Sequence, residues 1–301
     1  MSVGVKPSLL ISDCCGAMMR LLSYRHEGIE GFGGIDGDSI IPLATEFGEN
    51  ARSLRQLIAG YSPTDIAAAL TAAKARVPLA AVDFLPVIPK PSKIFCIGVN
   101  YETHRAETGR ERTGHPIVFV RVSDSQVGHG APLIKPRVSE RFDYEGEIAL
   151  VIGKGGRDIA EGEAYHHVFG YSCYNDGSVR DWQFHTSQWA PGKNFQATGA
   201  FGPWLVTPDE LGPINELKLE TRLNGVTLQS AHVNEMIFSI PEQIAYLSTV
   251  ITLSPGDVIV TGTPGGVGAK REPPIFMKDG DTCEIEVSGI GVLSNPVVSQ
   301  S

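Results

Sequence analysis

An acidic cluster, Asp143-Tyr144-Glu145-Gly146-Glu147, runs without a break into the apolar stretch Ile148-Ala149-Leu150-Val151-Ile152. Such a stretch reads as a buried strand, and a strand carries its side chains alternately to either face. Glu145 and Glu147 therefore point the same way, beside a core. Like charges two residues apart repel unless a cation, a proton or solvent compensates them, and a divalent ion does so without raising either pKa far. Taken alone, a Glu-x-Glu pair reads more simply as an edge strand with one solvated acidic face. Its neighbours change that reading. Tyr171-Ser172-Cys173-Tyr174-Asn175-Asp176-Gly177-Ser178 forms a second apolar strand that ends on Asp176 at a turn signal, where a third carboxylate becomes available. Oxygen donors with no Cys or His interleaved suit magnesium, manganese or calcium and argue against zinc, copper or an iron–sulfur cluster. Three carboxylates also leave coordination positions for water or a bidentate substrate.

Other ordered blocks accompany these two: Cys96-Ile97-Gly98-Val99-Asn100-Tyr101 with His104 and Glu107, Arg180-Asp181, and Gly192-Lys193-Asn194-Phe195. Met236-Ile237-Phe238 with Pro241, Pro255-Gly256-Asp257, Thr261-Gly262-Thr263-Pro264 with Gly268, and Gly289-Ile290-Gly291 complete the set. In order and spacing the chain resembles the fumarylacetoacetate hydrolase superfamily from about Lys93 to Pro296. The resemblance implies an α+β, β-rich fold: a mixed β-sandwich roll of that family's C-terminal type, with a small N-terminal α+β unit. It assigns the metal ligands to Glu145, Glu147 and Asp176, and a water-activating pair to His104 and Glu107. Their spacing of three places both on one face of a helical turn, although such a pair alone reads as exposed helix surface. A carboxylate beside an imidazole fixes its tautomer and raises its basicity. Lys193, by itself an ordinary loop lysine, is implied to face the substrate and stabilise developing negative charge.

The resemblance further implies substrate binding by Thr263 and the amides around it. Gln183 matches a position that some members use to orient the histidine, and it is placed with the substrate-binding residues. Two departures bear on substrate identity: Gln196 stands where Asp is frequent, and Arg121, also placed at the substrate, stands where Lys often follows the strand Ile117-Val118-Phe119-Val120. Thr108 to His115, polar and glycine-punctuated, reads as a mobile lid. The glycine-rich loop Thr261 to Gly268 follows the strand Asp257 to Val260, but no Gly-Lys-Ser/Thr closes it, so it is not a phosphate loop.

The implied activity is magnesium- or manganese-dependent hydrolysis of a carbon–carbon bond in an acylpyruvate such as fumarylpyruvate or maleylpyruvate. This releases pyruvate and a carboxylic acid in aromatic-compound catabolism; calcium also satisfies the ligand set. Oxaloacetate-type decarboxylation and isomerisation or hydration of 2-hydroxyhepta-2,4-diene-1,7-dioate are the alternatives. Retention of His104 and Glu107 favours hydrolysis, because decarboxylation needs mainly the metal and an electron sink. The same residues with Lys193 argue against a non-catalytic, metal-stabilised binding protein.

Composition limits the partners. A formal charge of −9 with no basic run excludes nucleic acid and an anionic membrane as expected partners. No apolar run approaches the ~20 residues that span a bilayer, and residues 8–22 lack a signal-peptide core. Five cysteines without Cys-x-x-Cys spacing, an adjacent Cys14-Cys15 pair among them, fit a reducing cytoplasm. Residues 1–18 read as an extension, 19–85 as a small α+β domain and 92–298 as the catalytic domain. The boundary is the connector Pro86 to Pro91, whose three prolines disfavour helix and central strand. Helices are expected over Ser53 to Ile58, from the Ser62-Pro63-Thr64-Asp65 cap to near Ala75, near His104, and over Ala160 to His167, Ser178 to Gln188 and Pro241 to Thr249. A homodimer is expected from the resemblance, with Ile237 to Leu247 as one contact surface.

Overall fold

The computed structural model describes residues 19–301; the expected extension and Cys14-Cys15 lie outside the described residues. Alternating apolar residues at its start form β1 (Arg20–His26), β2 (Ile29–Asp36) and β3 (Ser39–Pro42). A helical turn at Ala44–Phe47 and two longer helices follow, the last of them from its expected Ser62 cap. Ser53 caps α1 (Leu54–Gly60) by accepting from the Gln56 amide, and Ser62 and Asp65 form a reciprocal capping box on α2 (Pro63–Ala72). α2 stops short of Ala75 because the chain extends there and pairs Val77–Pro78 with β3.

Further elements include β4 (Ile94–Gly98), α3 (Glu102–Thr108), β5 (Ile117–Val120), β6 (Leu133–Lys135), β7 (Gly146–Ile152), β8 (Val168–Asn175) and β9 (Gly199–Val206). They continue with β10 (Lys218–Leu223), β11 (Val226–His232), α4 (Ile240–Val250), β12 (Val258–Val260), β13 (Thr282–Val287) and β14 (Gly291–Ser299). A twelve-stranded sheet runs β3-β2-β1-β9-β8-β7-β12-β4-β5, with three two-residue strands attached, and a five-stranded sheet runs β11-β10-β13-β14-β6. Both are mixed: β12 runs parallel to β4, and β14 parallel to β6.

Alternation along β7 explains the layering. Ile148, Leu150 and Ile152 enter one core with Leu219, Ile285 and Leu293 of the smaller sheet. Ala149 and Val151 enter a second core with Leu54, Leu57 and Ile66 of α1 and α2. β7 is buried at every position and lies between β8 and β12, so the solvated-edge reading of its acids does not hold. β1 pairs directly with β9, and the N-terminal strands therefore extend the large sheet across the proline connector. Two expected helices are weaker than their patterns suggested. Glu161–His167 is a 3-10 segment, and only Arg180–Gln183 coils within Ser178 to Gln188. In α4 the apolar residues Ile240, Ile244 and Leu247 pack into the chain's own core, so they are not a free subunit contact.

Candidate active site

Pairing of β7 with β8 sets Gly146 opposite Asn175, which brings Glu145 and Asp176 face to face just beyond the ladder. The Asp176 amide donates to the Glu145 carbonyl at 2.8 Å. Glu147 emerges two residues on, on the same face as Glu145. One carboxylate oxygen from each of the three lies within 4.8 Å of the others, and all three residues are buried.

Cations surround two of these acids and leave the third exposed to repulsion. Arg180 reaches Glu145 at 2.6 Å and Asp143 at 2.8 Å. The Lys193 ammonium bridges Glu145 at 2.5 Å and Asp176 at 2.6 Å, and Arg121 holds the other oxygen of Asp176 at 2.5 Å. Burial opposes ionisation of Glu145, yet Arg180 and Lys193 hold its carboxyl below the usual carboxylate range. At Glu147, burial and then the charges of Asp176 and Glu145 push the carboxyl well above that range, against Lys193 and the Gly262 amide. Three converging hard oxygens, one of them repelled by the others, are a donor set that a divalent ion of the magnesium, manganese or calcium kind satisfies.

The second half of the site comes from the corner between β4 and α3. Val99 there adopts φ 55°, a left-handed conformation unfavourable for a β-branched residue. Asn100 fixes the corner by donating to the carbonyls of Thr261 at 2.7 Å and Phe238 at 3.0 Å. α3 then presents His104, which is 6% exposed, with Nδ1 2.7 Å from the Glu107 carboxylate. That bond fixes the tautomer and leaves Nε2 as the nitrogen available to the cleft that His104 lines.

One glycine-rich loop joins the two halves. Its amides donate from Gly262 to Glu147 at 2.5 Å, from Gly265 to Thr103 at 3.0 Å, from Gly266 to Glu107 at 2.8 Å and from Gly268 to Asp143 at 2.8 Å. The glycines are needed for conformation and space: Gly262 has φ +107°, and a Cβ there would stand 2.5 Å from Cβ of Asn100. The result is a small, partly open cleft lined from both halves, by His104, Glu145, Glu147, Asp176 and Thr263 among others.

The chain matches the family model for the fumarylacetoacetate (FAA) hydrolase C-terminal domain over residues 93–298. The chain belongs to the fumarylacetoacetate hydrolase family. It is 46% identical over 215 residues to "Oxaloacetate tautomerase YisK" of Bacillus subtilis, covering 70% of this chain and 71% of that one. It is 42% identical over 219 residues, 72% of this chain and 69% of the relative, to "Oxaloacetate tautomerase fahd2, mitochondrial" of Xenopus laevis. Among solved structures, maleylpyruvate hydrolase from Sphingobium sp. SYK-6, in complex with manganese(II) and pyruvate, superposes with TM-score 0.78 at 30% identity, covering 94% of this chain and all of that one.

Within this fumarylacetoacetate hydrolase fold, His104, Glu145, Glu147, Asp176, Lys193, Thr263 and Gln183 line one cleft. Glu107 stands behind His104. Arg121 does not join them. Its side chain is wholly buried behind Asp176, engaged with that carboxylate, Gly177 O and Thr198, and it does not line the cleft. Gln183 accepts from Arg180 at 3.0 Å, and no hydrogen bond among the described residues links it to His104. Thr263 donates to Gly146 O at 2.9 Å and accepts from Gln229 at 2.8 Å. Sequence reasoning gave no role to Arg180, whose Nη2 is buried at the cleft without a partner. No helix of the described residues is long and apolar enough to cross a membrane.

Proposed function

We propose that this chain interconverts the enol and keto forms of oxaloacetate. The observation that carries the reading is the convergence of a buried carboxylate triad and a carboxylate-backed imidazole on one small cleft. Glu145, Glu147 and Asp176 would hold a magnesium or manganese ion, which when bound supplies Lewis acidity to the oxygens of a 2-oxo acid. Lys193, 1% exposed, adds positive potential beside that position. The unpartnered Nη2 of Arg180 offers a donor to a substrate oxygen. His104 Nε2 takes the proton from the enol hydroxyl, and a proton is returned to C3; O–H breaks as C–H forms, and no water is consumed. Glu107 keeps the ring oriented through the change of charge.

The relatives named as oxaloacetate tautomerases support this chemistry. It revises the preference for hydrolysis that the His104–Glu107 pair suggested, because deprotonating an enol and deprotonating water call for the same base. Acylpyruvate hydrolysis remains the second reading, favoured by the likeness to maleylpyruvate hydrolase; there His104 would activate water toward the distal carbonyl.

The two readings separate in one experiment. Loss of the oxaloacetate enol absorbance should be accelerated by the magnesium-loaded protein without pyruvate release, and His104→Ala should slow it at least ~100-fold, within the range of one general base. Efficient pyruvate release from fumarylpyruvate, with no acceleration of the oxaloacetate enol, would replace tautomerisation by hydrolysis.

A further inference from the structure

Beyond the metal-ligand end, the cleft carries charge that the chemistry above does not use. Its lining holds three carboxylates, Glu145, Glu147 and Asp176, against four cations, Arg110, Arg180, Lys193 and Lys270. Arg180 and Lys193 are spent on the carboxylates. Arg110 and Lys270 are not: neither forms an ion pair with any carboxylate among the described residues. Arg110 is nevertheless fixed in place. It follows α3 at Gly109, its carbonyl accepts from Arg105 at 2.6 Å, and its guanidinium lies over the Trp189 ring, 4.9 Å from the centroid. Trp189 itself lines the cleft. A guanidinium stacked on an indole keeps its in-plane N–H donors free for an oxyanion. A divalent ion on the triad would leave the lining strongly cationic, a field that a substrate with a second negative group balances better than a monoanion does.

We infer that Arg110, stacked on Trp189 and assisted by Lys270, receives the distal carboxylate of a dicarboxylic 2-oxo acid and selects such diacids over monoacids. The inference rests on the proposed reading of the cleft as a 2-oxo acid site and adds the residues that set its substrate class.

The test compares a diacid with a monoacid at both ends of the cleft. In the magnesium-loaded protein, Arg110→Gln should raise KM for oxaloacetate at least about tenfold, as expected for loss of a charge-assisted hydrogen bond. The dissociation constant of pyruvate, measured by calorimetry, should stay within twofold. Arg110→Lys should recover part of the loss by restoring charge without the fork, and Lys270→Gln should raise KM less than Arg110→Gln does. Equal weakening of pyruvate and oxaloacetate in Arg110→Gln, or an unchanged KM for oxaloacetate, would overturn the assignment while leaving the 2-oxo acid reading in place. A wild-type protein that neither binds pyruvate nor acts on oxaloacetate would overturn the reading of the cleft itself.

Discussion

Glu147 has the least compensation of the three acids in the triad. Glu145 touches two cations and Asp176 touches two, whereas Glu147 accepts one backbone amide. Its carboxyl is pushed up by burial and by its two acidic neighbours, so its charge costs stability unless a divalent ion offsets it. Glu147→Gln should therefore act in opposite directions on the two forms of the protein. Without metal the melting temperature should rise, by about 1–2 °C for each kcal/mol of repulsion relieved. The rise produced by saturating magnesium or manganese should shrink, because affinity falls by more than the ~10–100-fold that losing a supporting residue costs. Thermal melts with and without metal read both, and a metal-free variant less stable than wild type would contradict the account. At this scale the sequence was informative where alternation and turn signals sufficed, as for Glu145, Glu147 and Asp176. Arg180, Arg110 and the true place of Arg121 were hidden, because which carboxylate a long side chain reaches depends on contacts far apart in the chain.

The glycine-rich loop after β12 joins elements that the sequence pattern treated separately. From the sequence it was a turn with amides free for substrate; in the structure those amides hold Glu147, Glu107 and Asp143. Gly262→Ala should break this clasp at its tightest point. The left-handed φ and the 2.5 Å approach to Asn100 set a cost of about 1–3 kcal/mol. The displaced loop would also release Glu147 and disturb the corner that carries α3. Denaturant midpoints and metal titration should both shift, and a variant with wild-type stability and affinity would show that the loop does not clasp the site. Elements with local instructions were legible: α2 begins at the Ser62 cap read from the sequence, and α1 and α4 fall where helices were expected, behind Ser53 and Ser239 caps that the structure shows. The failures lay where no such instruction exists. Neither Glu161–His167 nor Arg180–Gln183 has a side-chain cap, and polar character alone overstated their helicity.

For the whole molecule, the decisive feature is the continuity of the large sheet through β1 and β9. Residues 86–91 of the proline connector form neither helix nor strand, and the family match begins just after it, at residue 93. That boundary does not divide the packing. Leu21 and Phe32 from the N-terminal strands and Leu54, Leu57 and Ile66 from the helices share one core with Ala149, Val151, Phe169, Phe201 and Val258. Composition could not reveal this, because both sides of the connector have apolar faces and only the pairing of Arg20 with Val206 and Leu21 with Leu205 shows them to be one. Removing residues 19–85 would expose the edge of β9 and the outer face of β7 and β8, an apolar surface prone to association. A chain of residues 93–301 should therefore aggregate or lose its metal-induced stabilisation, although it contains the family-matched segment. The full chain should unfold in a single calorimetric transition whose van't Hoff and calorimetric enthalpies agree. A soluble 93–301 fragment with native circular dichroism and undiminished affinity for magnesium or manganese would show that the N-terminal strands are an accessory, and that the site is positioned by the second sheet alone.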